Sequence, residues 1–309
     1  MRALVTGAGG FAGKYLVRHL RERSDEVIGA GRAADGCDVV LDVNDYDSIQ
    51  KALETARPDV VFHLAAQTFL PEATQHPMET YETNILGTAR LLSALKSGTR
   101  IVFTSSAQVY GAGAPDRRAL TEDLPLRPVE PYAASKAAAE HVCMAAFHTS
   151  GKECIIARAF NHIGPGQDTR FAIASFAQQL ARIACGAQPP RIDVGNLEAE
   201  RDFLDVRDVV QAYVTLGERG KAGEVYNVCS GVPRKVKELL RMLIVQAGVA
   251  VEVREDPQRM RSSEIPCFYG DNGKLRALGW KAQIPLEQSL RSIYDAAVAA
   301  TATSAGASR

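Results

Sequence analysis

The sequence predicts an α/β fold, a doubly wound parallel sheet with a smaller mixed α/β region appended to it. Three observations carry that expectation. A glycine-rich turn, Gly7-Ala8-Gly9-Gly10-Phe11-Ala12-Gly13, joins a short apolar run to a helix-periodic one near the start of the chain. Apolar runs then alternate with helical stretches as far as Arg158. Beyond Asn161 the alternation gives way to short mixed segments rich in Gly, Pro and Arg. Strands that alternate with helices build parallel sheets covered on both faces.

The elements follow in order. Arg2 to Thr6 reads as a buried parallel strand, and Lys14 to Leu20 as the helix after the turn. Strand, glycine turn and helix together form the context of a dinucleotide fingerprint. Glycines let backbone approach a pyrophosphate, and the helix start offers it unpaired N–H groups. The spacing is Gly-x-x-Gly-x-x-Gly, on Gly7, Gly10 and Gly13. Glu26 to Ala30 is the second strand. Where an NAD site places an acid to hold the ribose, this chain has Gly31-Arg32. Arg32 can pair with a 2′-phosphate, which favours NADP(H); the nearby Asp35 keeps NAD(H) open, and plain surface charge is the alternative for Arg32.

Val39 to Val43 is the third strand, with Asp42 and Val43 facing the adenine. A helix from Asp45 to Ala56 leads to the fourth strand, Pro58 to Leu64, which ends in the small residues Ala65 and Ala66. Ligands sit at the carboxyl ends of such strands, where small side chains leave room. Asn84 falls in the next helix, and Arg100 to Thr104 is the fifth strand, ending in Ser105-Ser106-Ala107-Gln108. Cys154 to Arg158 continues the sheet. The chain is expected to return to it at Phe203 to Leu216 and at Val225 to Val228, while the end of the small, polar stretch Ala297 to Arg309 should fray. The turn-rich stretch Asn161 to Gln167 opens the second region, with His162 as a loop hydrogen-bonder.

Tyr132-Ala133-Ala134-Ser135-Lys136 opens an alanine-rich helix. Residues four apart share a helix face, so the Lys136 ammonium can lie beside the Tyr132 phenol and draw its pKa down toward working pH. A phenol tuned in that way exchanges protons with a sugar hydroxyl or carbonyl. A surface pair is the bland alternative, and the cofactor turn and a third polar partner, Ser106, weigh against it.

Composition bounds the rest. Lys+Arg and Asp+Glu each number 36 among 309 residues, so the net charge is zero. No global field favours nucleic acid or an anionic membrane. The six cysteines are scattered, with no metal-ligand spacing, and read as reduced thiols, Cys229 among them packed in the core. No metal site is expected. No apolar run is long enough to span a membrane and no leader precedes the first strand, so a cytoplasmic protein is expected.

Gly7-x-x-Gly10-x-x-Gly13, Ser106 and Tyr132-x-x-x-Lys136 together resemble the extended short-chain dehydrogenase/reductases, over nearly the whole chain. Asn161 to Gln167, Val194 to Phe203, Tyr226 to Gly231 and Arg261 to Ile265 resemble the branch acting on GDP-linked 6-deoxysugars. The resemblance implies a Rossmann NAD(P)-binding domain at 1–160 and 206–231 and a sugar-nucleotide domain at 161–205 and 232–309. It implies Ser106, Tyr132 and Lys136 as the catalytic set. Phe11, Leu64, Asn84 and Thr104 join the cofactor residues. Gln108 and Asn161 would touch the sugar side, Val194 and Asn196 the base, Arg201 and Arg261 the pyrophosphate, and Glu264 a ribose or the guanine. A surface ion pair or a loop cap is the alternative for each of these residues taken alone.

The implied reaction is reduction of the C4 keto group of a GDP-linked 4-keto-6-deoxymannose to GDP-D-rhamnose. Elimination of a C6 hydroxyl needs a further acid/base group. Ala107 and Gln108, which follow Ser106, cannot move a proton at neutral pH. That disfavours a 4,6-dehydratase. It leaves open a 4-epimerase, a reductase giving 6-deoxytalose, and a non-catalytic NADP(H)-binding sensor or scaffold. The family resemblance also implies a homodimer, paired through the helix at Tyr132 and the one around Met78 to Leu95. Internal helix packing accounts for the same alanines.

Overall fold

The computed structural model describes residues 1–309 apart from 33–35, 113, 115, 117, 260–264 and 307–309. Asp35, Arg261 and Glu264 lie outside the described residues. The first part of the chain runs β1 (Arg2–Thr6), α1 (Phe11–Glu22), β2 (Glu26–Gly31), β3 (Val39–Val40), α2 (Tyr46–Ala56) and β4 (Val60–His63). Two short helices follow, α3 (Leu70–Gln75) and α4 (Pro77–Tyr81). A π-helical turn, Glu82–Leu86, runs into α5 (Gly87–Ala94). Then come β5 (Arg100–Ser106), α6 (Pro131–Ser150) and β6 (Glu153–Ala159). With β10 (Val225–Val228), these strands form one seven-stranded parallel sheet in the order β10-β6-β5-β4-β1-β2-β3.

This is the expected doubly wound sheet. Its strands are apolar on both faces, so each face carries its own core. One holds Val5, Phe62, Val102 and Ile155 beneath Leu16 and Tyr213; the other holds Leu4, Val61, Ile101 and Ile156 beneath Leu91 and Cys143. Burial of such side chains is the main drive to this architecture, at about 1.5–3 kcal/mol each.

The return to the sheet departs from expectation. The stretch from Phe203 is split between β9 (Glu200–Asp205) and α8 (Val206–Arg219). The helix covers the large sheet, with Gly217 against Phe62, but β9 belongs to a second, four-stranded sheet. There it lies between β11 (Pro233–Lys235) and β13 (Cys267–Phe268) and also pairs β7 (Asn161–Ile163). The segment from Asn161 thus begins as a strand where a turn-rich loop was expected, because Asn161, His162 and Ile163 pair Phe203, Leu204 and Asp205. A further two-stranded sheet joins β8 (Arg191–Val194) to β12 (Glu252–Glu255).

Helices α7 (Ala172–Ala184), α9 (Val236–Ala247) and α11 (Leu286–Gly306) close over this region, around Phe176, Leu180, Leu240 and Leu290. A short α10 (Gly273–Ala277) lies beside β10. Helix α11 runs on to Gly306, and the chain end expected to fray, 307–309, lies outside the described residues. Ala297 and Val298 pack against that third core, which holds this part of the helix in place.

Candidate active site

The glycine turn is shaped for close approach. Gly7 has φ +68°, and a Cβ there would lie 2.8 Å from the Ala65 amide nitrogen; a Cβ on Gly13 would lie 2.1 Å from the Gly7 carbonyl. A side chain at either position would collide with backbone, so glycine lets the turn close tightly against the start of α1, the shape that brings backbone N–H groups to a pyrophosphate. Phe11 opens α1 and stacks on His162, with ring centroids 5.9 Å apart. The Tyr15 hydroxyl donates to the Pro165 carbonyl at 2.8 Å, so the turn and the start of the second region are fastened together. His162 is near Phe160 O at 3.3 Å and its carbonyl accepts from Gln167, the hydrogen-bonding part expected of it, from a strand position.

Arg32 sits exposed just past β2. Asp42 is half-buried and accepts from the Asn44 amide, while buried Val43 packs against Gly87. Leu64, Ala65 and Ala66 are half-buried at the carboxyl end of β4. Asn84 is buried in the π-helical turn, and its amide is fully engaged. Its Oδ1 accepts from Gln67 N at 2.8 Å, and its Nδ2 donates to Gln67 O at 2.9 Å and to Ser135 Oγ at 2.8 Å. Asn84 therefore shapes the loop after β4 and the start of α6, with no amide hydrogen left for a ligand. The Thr104 hydroxyl donates to His63 O, and the Thr104 carbonyl accepts from Lys136.

Helix α6 begins with a firm cap. The Glu130 carboxylate accepts from the amides of Tyr132 and Ala133 at 2.9 and 2.8 Å, and Pro131 occupies the first helical position. This sets Tyr132 over the end of β5, where its phenol faces Ser106. Ser106 Oγ accepts from Gln108 N at 3.2 Å, which fixes the 3-10 turn Ala107–Tyr110 and the half-buried Gln108. Lys136 Nζ donates to Thr104 O at 2.8 Å and lies 5.0 Å over the Phe103 ring. Ser106, Tyr132 and Lys136 thus converge at one sheet end.

One electrostatic expectation fails. Burial pushes the Tyr132 phenol up to about 12, while the Ser106 hydroxyl beside it acts in the opposite direction. The Lys136 ammonium is turned to the Thr104 carbonyl and does not draw the phenol down. Burial lowers Lys136 itself to about 8. Its folded pKa lies below its ordinary 10.5, so between those values the unfolded chain binds the extra proton and stability rises with pH. Holding Lys136 charged at neutral pH therefore costs about 3 kcal/mol. Measured against Lys136→Met, wild-type stability should gain about that amount from pH 7 to pH 10.5 in parallel denaturant titrations. A constant difference between the two proteins contradicts the assignment.

Beneath this set lies a buried network that the sequence reading passed over. Glu140, one turn beyond Lys136, takes Arg158 Nε and Nη2 at 3.0 and 2.8 Å, and accepts from Ser105 Oγ at 2.5 Å. Arg158 Nη1 donates to the Tyr110 hydroxyl at 3.0 Å, and Tyr110 donates to Asn227 Oδ1 at 2.7 Å. Tyr110 is structural, held by both bonds in the core. The available signals were an arginine inside the apolar strand Cys154–Ala159 and an acid on the Lys136 face of α6.

Of the residues expected on the substrate side, exposed Asn161 uses Nδ2 on the Asp202 carbonyl at 3.1 Å. Asn196 is half-buried and accepts from Glu198 N at 2.8 Å, a loop turn. Arg201 Nη1 donates to the Glu200 and Ile265 carbonyls. Val194 is a correction. Its side chain is buried in the third core and its carbonyl accepts from Asp256 N, so the group expected to meet a base is engaged within the protein.

A glycine cradle leading to a Ser–Tyr–Lys set on one sheet end defines an extended short-chain dehydrogenase/reductase. Residues 4–293 match the family model for GDP-mannose 4,6-dehydratase, and the chain belongs to that family. It is 43% identical to the GDP-6-deoxy-D-mannose reductase of Pseudomonas aeruginosa, over 94% of this chain and 95% of that one. It is 30% identical to the GDP-6-deoxy-D-talose 4-dehydrogenase of Aggregatibacter actinomycetemcomitans, over 89% and 90% of the two chains. Among solved structures, RMD from P. aeruginosa complexed with NADPH superposes with a TM-score of 0.87 at 40% identity, over 97% of this chain and all of that one.

Proposed function

We propose that this chain reduces the C4 keto group of GDP-4-dehydro-6-deoxy-D-mannose with NADPH and releases GDP-6-deoxy-D-mannose, GDP-D-rhamnose. The observation that carries the reading is the placing of the Tyr132 phenol beside Ser106, with Ala107 and Gln108 next to it, in a chain 43% identical to a GDP-6-deoxy-D-mannose reductase. There is a proton donor for an oxygen at C4, and the two residues that follow Ser106, Ala107 and Gln108, carry no carboxylate for an elimination.

Gly7, Gly10, Phe11 and Gly13 hold the pyrophosphate, Arg32 the 2′-phosphate, and Asp42 and Val43 the adenine. Leu64, Ala65 and Ala66 floor the channel, and Thr104 and Asn84 shape it through their own bonds. A bound NADPH supplies the hydride. Ser106 orients the C4 oxygen by hydrogen bond. Tyr132 releases its proton to that oxygen as charge develops there, and a phenol held near 12 stays protonated throughout the neutral range. Lys136 holds the nicotinamide ribose and places positive charge under the site. Gln108 and Asn161 face the sugar, and Asn196 and Arg201 the nucleotide. Arg261 and Glu264 complete that side by resemblance.

The working form is a cytoplasmic homodimer. Exposed Met78 and Leu86, on the helical stretch from Pro77 to Ala94, support a helix-paired interface. Among the described residues no helix is long and apolar enough to cross a membrane.

The keto sugar, made by a separate dehydratase, should oxidise NADPH in stoichiometric amount, faster than NADH. GDP-mannose offered with NADP+ should stay unchanged. Conversion of GDP-mannose to the keto sugar would replace this reading with a dehydratase.

A further inference from the structure

One buried histidine lies outside the reaction described above. His63 ends β4, is 1% exposed and touches three other elements of the sheet end. Its Nδ1 lies 2.7 Å from Thr6 Oγ1, the last residue of β1 before the glycine turn. Its Nε2 lies 3.1 Å from Thr88 Oγ1, in the first turn of α5. Its carbonyl accepts from Thr104 Oγ1 at 2.9 Å.

The neighbours decide where the ring proton sits. Thr88 donates its hydroxyl hydrogen to the Asn84 carbonyl at 2.7 Å, so Thr88 Oγ1 can only accept from the ring. Thr6 Oγ1 accepts from Ala65 N at 3.2 Å and keeps its hydrogen for the ring. The arrangement with the proton on Nε2 satisfies every partner at once. Moving it to Nδ1 leaves Nε2 facing an oxygen whose hydrogen points elsewhere, a buried loss. The bonds then run in one direction: Ala65 N–H to Thr6, Thr6 to His63 Nδ1, His63 Nε2–H to Thr88, Thr88 to Asn84 O.

Asn84 carries the connection onward. Its amide holds both backbone groups of Gln67 and the hydroxyl of Ser135, and Ser135 donates to the Tyr132 carbonyl at 2.7 Å. The π-helical turn that places Asn84 is therefore tied to the ring on one side and to the Tyr132 turn on the other. Such turns recur at functional sites because they re-aim a side chain.

We propose that His63 is a positioning residue, locked as the neutral Nε2–H tautomer, which couples the floor of the cofactor cradle at Ala65 to the seating of the Tyr132 helix turn. Burial, helped by the Lys136 charge, holds its pKa down to about 3, so the relay keeps its direction at any working pH. Asn presents its amide where Nδ1 stood and Gln where Nε2 stood, so each substitution keeps one half of the relay.

The test has two parts. In the first, ring 15N signals of the wild-type apo protein are followed from about pH 5 to about pH 9, with His63 assigned by its loss in His63→Asn. The expected result is a proton on Nε2 that does not titrate; a proton on Nδ1, or titration in that window, overturns the proposal. In the second, NADPH Kd is read by fluorescence and kcat at saturating NADPH. His63→Asn should keep Kd within about threefold and lower kcat about tenfold, and His63→Gln should weaken Kd about tenfold and keep kcat within about threefold. Equal losses in both, the reverse pattern, or no change overturns it. The kcat arm rests on the proposed reduction. The tautomer and the NADPH titration need no substrate, so a wild-type protein without turnover would count against the reaction and leave the relay to be judged on the first part.

Discussion

Tyr132→Phe should lower kcat for the keto sugar by about a thousandfold while NADPH Kd stays within about threefold. The substitution removes one hydroxyl from a side chain that is 8% exposed and leaves the ring in place. The cradle residues Gly7 and Gly10 lie on the turn before α1 and Gly13 in its first turn, and none depends on that oxygen. General acid catalysis by a positioned group contributes about 10²–10⁴ in rate, so its loss falls on turnover. The fold should tolerate the change, because the Ser106 hydroxyl still accepts from Gln108 N. A variant with near-normal kcat would remove Tyr132 from the reaction, whereas equal losses in Kd and kcat would make it a structural residue.

The largest stability effect should come from Glu140→Ala, a loss of about 3–5 kcal/mol. Glu140 and Arg158 are both nearly buried, and the carboxylate takes two guanidinium nitrogens and the Ser105 hydroxyl. Without it, Arg158 stays charged in the core, since loss of a partner does not deprotonate a guanidinium. Its remaining partners are Tyr110 and the Glu122 carbonyl, which supply hydrogen bonds but no opposing charge. Replacing both members together, Glu140→Leu with Arg158→Leu, should recover a good part of the loss, because an apolar pair carries no stranded charge. Urea denaturation of Glu140→Ala, of Glu140→Leu and Arg158→Leu singly, and of the double variant measures this. A double variant as unstable as the sum of the single changes would show no coupling between the two side chains and contradict the stranded charge. Ser105 adjoins Ser106 and Glu140 adjoins Lys136 by one turn, so Glu140→Ala should also slow turnover.

The large sheet was legible because its strands are apolar on both faces and its helices keep a regular spacing, so local pattern and final place agree. The smaller sheets were not. Asn161–Ile163, Pro233–Lys235 and Cys267–Phe268 are strands of two or three residues, and what makes them strands is β9, remote in the chain. No window of that length carries a period. The site divides the same way. Ser106, Tyr132 and Lys136 were readable because one strand end and one helix start place them. Val194 was misplaced because its neighbours Gly195 and Asn196 look like a ligand loop, whereas its own strand turns Ile192 and Val194 into the core. The Tyr132 pKa went the wrong way because helical spacing puts Lys136 on the right face but cannot foresee its bond to Thr104 O or the depth of burial. Arg158 and His63 are polar residues in apolar strands, and each proves to be the centre of a satisfied buried network.

The most direct test of the account is the identity of the sugar released. GDP-4-dehydro-6-deoxy-D-mannose is to be reduced by the purified protein with NADPH, and the product analysed by proton NMR. An equatorial hydroxyl at C4, seen as a large coupling between the protons on C3 and C4, identifies GDP-D-rhamnose and is the predicted result. A small coupling at that position, from the axial hydroxyl of a 6-deoxytalose product, would contradict it.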